Sequence, residues 1–559
     1  MSTPDEGDRA SLLGSSAVMA AGTVVSRLSG YVRAVLLAAA LGTQLHADIF
    51  TTANTIPTML YILVAGGVFN AVLVPQLVRA MKHDEDGGEA FTNRLVTVAL
   101  LFLAVVTALL VVAAPWIMDV YLDDAYDDPA LAEQKQSAID FARYCLPQVF
   151  FYGAFVLVGQ VLNARGRFGP MMWAPIANNV VAVLVLVAYL LAYGPVPQSG
   201  LESAYSTDRE LLLGLGSTLG IAVQFLVLVP SLRAAGFRFR PRLDLRGSGL
   251  GHTLRLGVWT LLFVLVNQAA YTVVVRLASS GTAEAAVAGA GSEPGSGYTV
   301  YSGAYLLVMV PHAIVTVSLA TAVLPRLSAR AADDDLGGLG GEVASTLRTV
   351  LALVLPFALL LPVVATQVAT AVYGWGAARS TAYLYAAPLS VFAIGLVAFT
   401  VHFVVLRGFY ALERTRTAFL VQCVIAVANV ATAVVVVDLV DPEHTATALA
   451  ASWGGAYAVG AATSFLVLRR TTGRLDGRRT AGFALRALLA AGAAAALAAG
   501  ALALLEGALP ADPGPLPSAL AGGAAAAVAG VAYLLLARLA RLDEVNELVA
   551  LVARRLPGR

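Results

Sequence analysis

Arg27 and Arg33 sit six residues apart in an otherwise apolar stretch, where the main use of a guanidinium is to hold an anion. The apolar run opens at Gly14, which puts Arg27 about 13 residues in, roughly 18 to 20 Å deep and near the middle of a bilayer. A cation at that depth costs several kcal/mol unless it faces a polar cavity or a partner, and snorkelling is too long a reach. Ser26 sets a hydroxyl beside it. Arg33 stands nearly two turns further along, and Asp48 opens the next apolar segment. Arg33 and Asp48 are a candidate outer gate; equally, Arg33 can snorkel to the interface and Asp48 can cap its helix.

The groups a catalyst needs do not assemble. Asp48, Asp119, Asp140, Glu413, Asp438 and Glu506 all fall near the ends of apolar runs, so no carboxylate lies at the depth a proton-coupled antiporter would use. The only lysines, Lys82 and Lys135, follow no glycine-rich phosphate loop. His46, His83, His252, His312, His402 and His444 lack metal-ligand spacing; His312 and His402 read as packed or cavity-lining, and no metal site is expected. Cys145 and Cys423 read as small core residues rather than a disulfide.

The elements that must position these residues are membrane helices. With 58% hydrophobic and 13% charged residues and a mean hydropathy of +0.78, the chain of 559 residues could not cover a surface in water. Runs of the roughly 20 residues needed to span a bilayer centre near Ala21, Leu63, Val105, Leu157, Val185, Leu219, Leu265, Ile314, Val354, Ile394, Ala426, Tyr457, Gly492 and Ala527. The expectation is an all-α polytopic membrane protein of about 14 transmembrane helices. Basic residues cluster in alternate loops, at Arg79 to Arg94, Arg165 and Arg167, Arg233 to Arg255, Arg326 to Arg348, Arg407 to Arg416 and Arg469 to Arg486. Lys135, Arg143, Arg209, Arg276 and Arg379 are the exceptions. Positive loops stay inside, which puts both termini in the cytoplasm and the protein in the inner (plasma) membrane. The acidic first residues imply no cleaved signal peptide. The net charge of +1 reports topology, and no nucleic-acid partner is expected.

A repeat organises the runs. AVLVPQL (Ala71 to Leu77) answers TAVLPRL (Thr321 to Leu327), Arg165-Gly166-Arg167 answers Arg414-Thr415-Arg416, and Asn179-Val180 answers Asn429-Val430, each about 250 positions apart. Six helices per repeat is even, so the two lobes are parallel repeats about an axis along the membrane normal. The expected division is a cytoplasmic tail 1–13, an N-lobe 14–235, a C-lobe 250–470, extra helices 13 and 14 in 479–541 and a cytoplasmic tail 542–559. The segments Pro195 to Asp208, Gly281 to Gly297 and Gly507 to Pro517 read as connections of little intrinsic structure.

The stretch SRLSGYVRAVLLAAALGTQLHADIF (Ser26 to Phe50), then IPTMLY, GGVFNAVLVPQL and GFYALERTRT (Gly408 to Thr417), resembles the MurJ/MviN family of lipid II flippases in the MOP exporter superfamily. The resemblance implies a MATE-like, two-lobed fold and a flippase without an ATP site. Its substrate would be a polyprenyl-diphosphate-linked cell-wall precursor, most simply lipid II, moved by alternating access to the outer leaflet for peptidoglycan synthesis. Arg27 and Arg33 match the family's cavity arginines and Asp48 its acidic residue opening helix 2. Tyr61 stands where a helix 2 arginine is usual, Gly66 where a glutamate is usual, and Ala304-Tyr305-Leu306 where Ala-Asp-Arg is usual. Ser26, Arg27, Arg33, Tyr61, Asn267, Gln268 and Tyr305 are therefore the expected substrate-binding residues. No cofactor is expected; the membrane potential or a monovalent ion would supply the drive. The partners implied are the lipid-linked glycan, membrane lipids and cell-wall synthesis proteins. Two alternatives stay open: another lipid-linked oligosaccharide flippase or drug/ion antiporter of the superfamily, and a non-transporting scaffold for cell-wall enzymes.

Overall fold

The computed structural model describes residues 22, 25–63, 88–167, 169–197, 204–242, 251–289, 292–473, 475–507, 510 and 513–553. Among them every regular element is a helix. Twelve helices among the described residues are long and apolar enough to cross a membrane, and they contain every expected centre from Val105 to Ala527. Of the two earlier centres, Leu63 closes a described helix and Ala21 lies outside the described residues, as do Gly66 and the Pro75 landmark.

We number the long helices α1 (25–41), α2 (Leu45–Leu63), α3 (Glu89–Val112), α4 (Gln148–Ala164), α5 (Gly169–Tyr193), α6 (Thr207–Leu226) and α7 (Gly251–Ala288). These are followed by α8 (Tyr298–Ala332), α9 (Leu336–Tyr373), α10 (Ala386–Ala411), α11 (Thr415–Val437), α12 (Thr445–Thr472), α13 (Gly477–Glu506), α14 (Pro515–Leu539) and α15 (Asp543–Ala553). The chain forms two compact units, Met1–Gln268 and Ala269–Arg559, which divide inside α7 rather than in the loop before it.

In the first unit a helix over Ala132–Cys145 packs on α2 and α6. Phe155, Leu157, Val161 and Leu162 of α4 form a core with Leu228, Leu232 and Phe237. α4 ends in a left-handed Gly166, with the Arg167 amide closing on Leu162 O at 2.9 Å. Arg165 then donates to Ala235 O at 2.9 Å and lies over the Phe237 ring, which braces the exit of α4 against the loop after α6.

The second unit repeats this device. α10 ends in a left-handed Glu413, with the Arg414 amide closing on Phe409 O at 2.8 Å, and Arg414 donates to Thr471 at the end of α12. The same helix-end hydrogen bonds align Arg167, not Arg165, with Arg414, because the left-handed residue that lets the chain turn is Gly166 in one and Glu413 in the other. α9 is capped by Asp335, whose carboxylate accepts from Gly338 N and from Arg330; that backbone bond, then the arginine, hold its carboxyl below the usual carboxylate range. α10 packs on α12 closely enough that a Cβ on Gly395 would lie 2.8 Å from Gly454 Cα. α13 and α14 pack on α9 through small residues such as Ala487, Ala491, Ala494, Ala498, Ala525 and Ala529, which let backbones approach. Tyr533 of α14 donates to Ala352 O at 2.7 Å.

The outward faces are apolar: Leu489, Leu504, Leu520 and Leu539 on α13 and α14 are 64, 82, 76 and 80% exposed. Water would not tolerate such surfaces, and lipid does. Three of the basic exceptions are satisfied locally. Lys135 bonds Asp119 and Asp127 at 2.7 and 2.6 Å, Arg143 bonds Asp140 at 2.8 Å, and Arg209 lies over Tyr193.

Two expected linkers are more ordered than their composition suggests. Gly281 to Ala288 continues α7 because its alanines favour helix, and Gly295 then packs where any side chain would strike Gly281 O. In Pro195 to Asp208, the Val196 amide donates to Ala40 O, and buried Tyr205 donates to His46 O while packing on Phe141.

Candidate substrate-binding site

The position of Arg27 follows from how α1 is held. Asn179 of α5, 9% exposed, donates through Nδ2 to Ser26 O at 2.9 Å and to Ser29 Oγ at 2.8 Å, while Ser29 Oγ donates to Ser26 O at 2.9 Å. Ser26, Ser29 and Gly30 share one face of a helix, so this bracket turns that face to α5. Val25, Leu28 and Val32, all exposed, form a second face. Arg27 and Tyr31 fall on a third. The Arg27 side chain is exposed there and has no hydrogen-bond or ion-pair partner among the described residues. Residues 14–21, which would fix its depth, lie outside the described residues.

Arg33 does not share the Arg27 face: at 100° per residue the two point about 120° apart. Arg33 is partly buried on the bracket side, within electrostatic reach of Tyr152 and Cys145. It forms no ion pair with Asp48 in this conformation. Arg33 lies about 12 Å along the axis from the end of α1, whereas Asp48, 1% exposed and already engaged, sits in the first turn of α2. Tyr61 packs at a tilt on Tyr152, ring centroids 4.8 Å apart, and the Tyr152 hydroxyl is 3.4 Å from Thr58 Oγ1. Deeper in the same interface Gln148 donates to Asn54 Oδ1 at 2.9 Å. Gln268 is 6% exposed and donates to Met59 O at 3.0 Å, so it ties α7 to α2; Asn267 beside it is engaged as well.

Tyr305 belongs to the second unit, in an aromatic cluster with Phe392 at 5.4 Å and Trp453 at 5.7 Å, extended by Phe399 and Tyr457. Pro311 precedes a π-helical turn over His312–Thr316. This turn sets His312 between Phe399 and Phe403, with Nδ1 3.4 Å from Thr400 Oγ1. His402 is likewise packed, 3.3 Å from Ser464 Oγ. Cys145 is buried, and both cysteines are free thiols.

Residues 37–512 match the family model described as lipid II flippase MurJ. The chain belongs to the MurJ family. Relatives named as probable lipid II flippase MurJ of Rhizobium meliloti and lipid II flippase MurJ of Burkholderia cenocepacia are 27 and 26% identical over 450 and 401 residues. These matches cover 79 and 71% of this chain and 79 and 72% of theirs. A solved structure titled lipid II flippase MurJ in an inward closed conformation superposes with a TM-score of 0.70 at 15% identity, covering 94% of this chain and 99% of that one. An inward-facing MATE multidrug transporter of the MOP superfamily gives 0.61, also at 15% identity, over 81 and 96% of the two chains. Both show the fold, and the chain is a multi-pass membrane protein of MOP architecture.

The stretch matched to the MurJ family contains Asp48, Tyr61, Asn267, Gln268 and Tyr305, while Ser26, Arg27 and Arg33 precede it. Sequence reasoning did not show that Gln268 gives its amide to Met59 O or that Tyr61 packs on Tyr152, because polar and aromatic types on an apolar run look alike whether they face a cavity or a neighbour. It also missed that Asn179 orients α1. Asn179 was visible as a repeat landmark, but its counterpart Asn429 accepts from Ser452 of α12 instead.

Proposed function

We propose that this member of the MurJ family moves lipid II from the cytoplasmic to the outer leaflet, with Arg27 binding the diphosphate. The support is the family match over residues 37–512 together with the exposed face on which the Asn179 bracket holds Arg27. A lipid-linked sugar has an anionic diphosphate that wants a planar, multidentate cation, a glycan that wants water and a tail that stays in lipid. Alternating access would carry the first two parts across. The apolar outer faces of α13 and α14 would accompany the tail. Both termini lie in the cytoplasm in this reading, and no nucleotide is hydrolysed. Moving two negative charges outward down an inside-negative potential releases about 2.3 kcal/mol per charge per 100 mV, roughly 4 to 5 kcal/mol in all. Arg33 and Asp48, unpaired with each other here, would meet as an outer gate in a second conformation.

The test is flipping per folded molecule, from a leaflet-resolved assay of lipid II beside the membrane abundance of each variant. Arg27→Ala abolishes flipping and still inserts; Arg27→Lys recovers only part, since an ammonium keeps the charge but not the bidentate geometry. Full activity of well-expressed Arg27→Ala refutes the role given to Arg27.

A further inference from the structure

The segment 237–242, FRFRPR, follows α6 by way of a short helix over Leu228–Ala234. Buried Phe237 anchors its start, under the guanidinium of Arg165. Beyond Phe237 the backbone is pinned to α3: Arg240 N donates to Asn93 Oδ1 at 2.7 Å and Arg242 N to Thr97 Oγ1 at 3.0 Å. Asn93 and Thr97 are four residues apart, about 6 Å along α3, a distance that two residues cover when the chain is extended. Pro241 suits this course, because it biases Arg240 to extended backbone and, lying between the two pins, needs no N–H of its own.

An extended chain places alternate residues on one face, so Arg238, Arg240 and Arg242 fall together, opposite in parity to buried Phe237. All three are exposed, and none of their guanidiniums has a hydrogen-bond or ion-pair partner among the described residues. Phe239, 44% exposed, stands between them. Their depth says what they meet. The apolar run of α3 opens at Leu95, which puts Asn93 just outside the hydrocarbon and Thr97 about 3 Å within it. The segment therefore climbs α3 through the boundary layer, where long cationic side chains turn back to the headgroups and an exposed aromatic ring is at home. The anions at that level are lipid phosphates.

We propose that segment 237–242 binds the phosphates of anionic phospholipids through Arg238, Arg240 and Arg242, with Phe239 inserted beside the acyl chains. The pins to Asn93 and Thr97 hold the three cations in one array before any lipid arrives. With the topology proposed above these are cytoplasmic-leaflet lipids, and that placement is all the inference takes from the proposed function. Arg470, Arg478 and Arg479, exposed at the ends of α12 and α13, carry the same charge without such an array and serve as an internal reference.

The test uses the purified full chain in nanodiscs of phosphatidylcholine or of phosphatidylglycerol. Reaction of each arginine with p-hydroxyphenylglyoxal, a water-soluble guanidinium reagent, is read by peptide mass spectrometry. Phosphatidylglycerol slows labelling of the reference arginines by about fivefold at most, the effect of an anionic surface on a single arginine. It slows labelling of Arg238, Arg240 and Arg242 about tenfold further, because each makes a direct charge-assisted contact with a phosphate. Asn93→Leu with Thr97→Val removes both pins and no charge, and brings the three down to the reference level. The near-isosteric Thr97→Val alone gives part of that effect in a chain of unchanged thermal stability. Equal slowing at the two sets of arginines, or extra slowing that survives loss of the pins, overturns the proposal. Protection already present in phosphatidylcholine shows cover by the protein itself and also overturns it. Displacement by glycerophosphoglycerol at equal concentration overturns a lipid as the occupant. Arg27→Ala keeps the protection while losing flipping, so the two readings fail separately.

Discussion

The bracket between α1 and α5 yields the sharpest test of how the fold aims Arg27. Asn179→Leu keeps nearly the same volume and removes two hydrogen bonds, to Ser26 O and Ser29 Oγ. Interhelical hydrogen bonds in membrane proteins average about 0.6 kcal/mol, with a maximum near 1.7. Ser29 Oγ still donates to Ser26 O after the change, so neither oxygen is orphaned and the lower part of that range applies. The expected loss is about 1 to 2 kcal/mol for the two bonds together. A change of 1.4 kcal/mol is about tenfold in population, so flipping per folded molecule falls by about five- to thirtyfold. Arg27→Ala, by contrast, abolishes it. The assay is reversible unfolding in mixed micelles beside the leaflet-resolved flipping assay, run as a double-mutant cycle with Ser29→Ala. A coupling energy near 0.6 kcal/mol is expected between Asn179 and Ser29. Zero coupling, with stability and flipping of Asn179→Leu both unchanged, would show that the bracket does not orient α1.

Arg348, 6% exposed, donates through Nε to Glu544 at the start of α15 at 2.7 Å. Breaking this buried pair with Glu544→Ala costs about 3 kcal/mol and releases α15 to proteolysis, while Arg348→Met with Glu544→Leu recovers most of the loss; equal stability of the single and double variants would contradict it. Gly395→Ala pushes a methyl onto Gly454 Cα and costs about 1 to 3 kcal/mol, whereas Gly482→Ala, with open space around it, is neutral or slightly stabilising by thermal unfolding. Cysteines placed in 195–208 are labelled from outside intact cells and cysteines at Gly236 or Gly473 are not; labelling of all three from one side would refute the proposed topology.

Hydropathy was legible residue by residue, because lipid solvation acts on local composition alone. That is why the helix centres from Val105 to Ala527 fall inside described helices. Helix ends were legible in part. The arginines after α4 and α10 are plain in the sequence, but their alignment depends on which residue turns left-handed, and Glu413 does in one unit what Gly166 does in the other. Segments 281–297 and 195–208 look like loose linkers because glycine, proline and serine recur in them, yet Tyr205 and Ser296 are buried, since burial is set by distant residues such as His46 and Pro442.

The candidate site divides in the same way. The sequence alone determined that Arg27 is a cation within an apolar run, because an uncompensated charge in hydrocarbon is anomalous wherever the chain goes. Only the tertiary structure decided that Arg27 and Arg33 face different ways, that Gln268 spends its amide on Met59 and that Tyr305 joins an aromatic cluster. Where a side chain points depends on which face of its helix a neighbour claims, and for α1 that choice is made by Asn179, some 150 residues away in the chain.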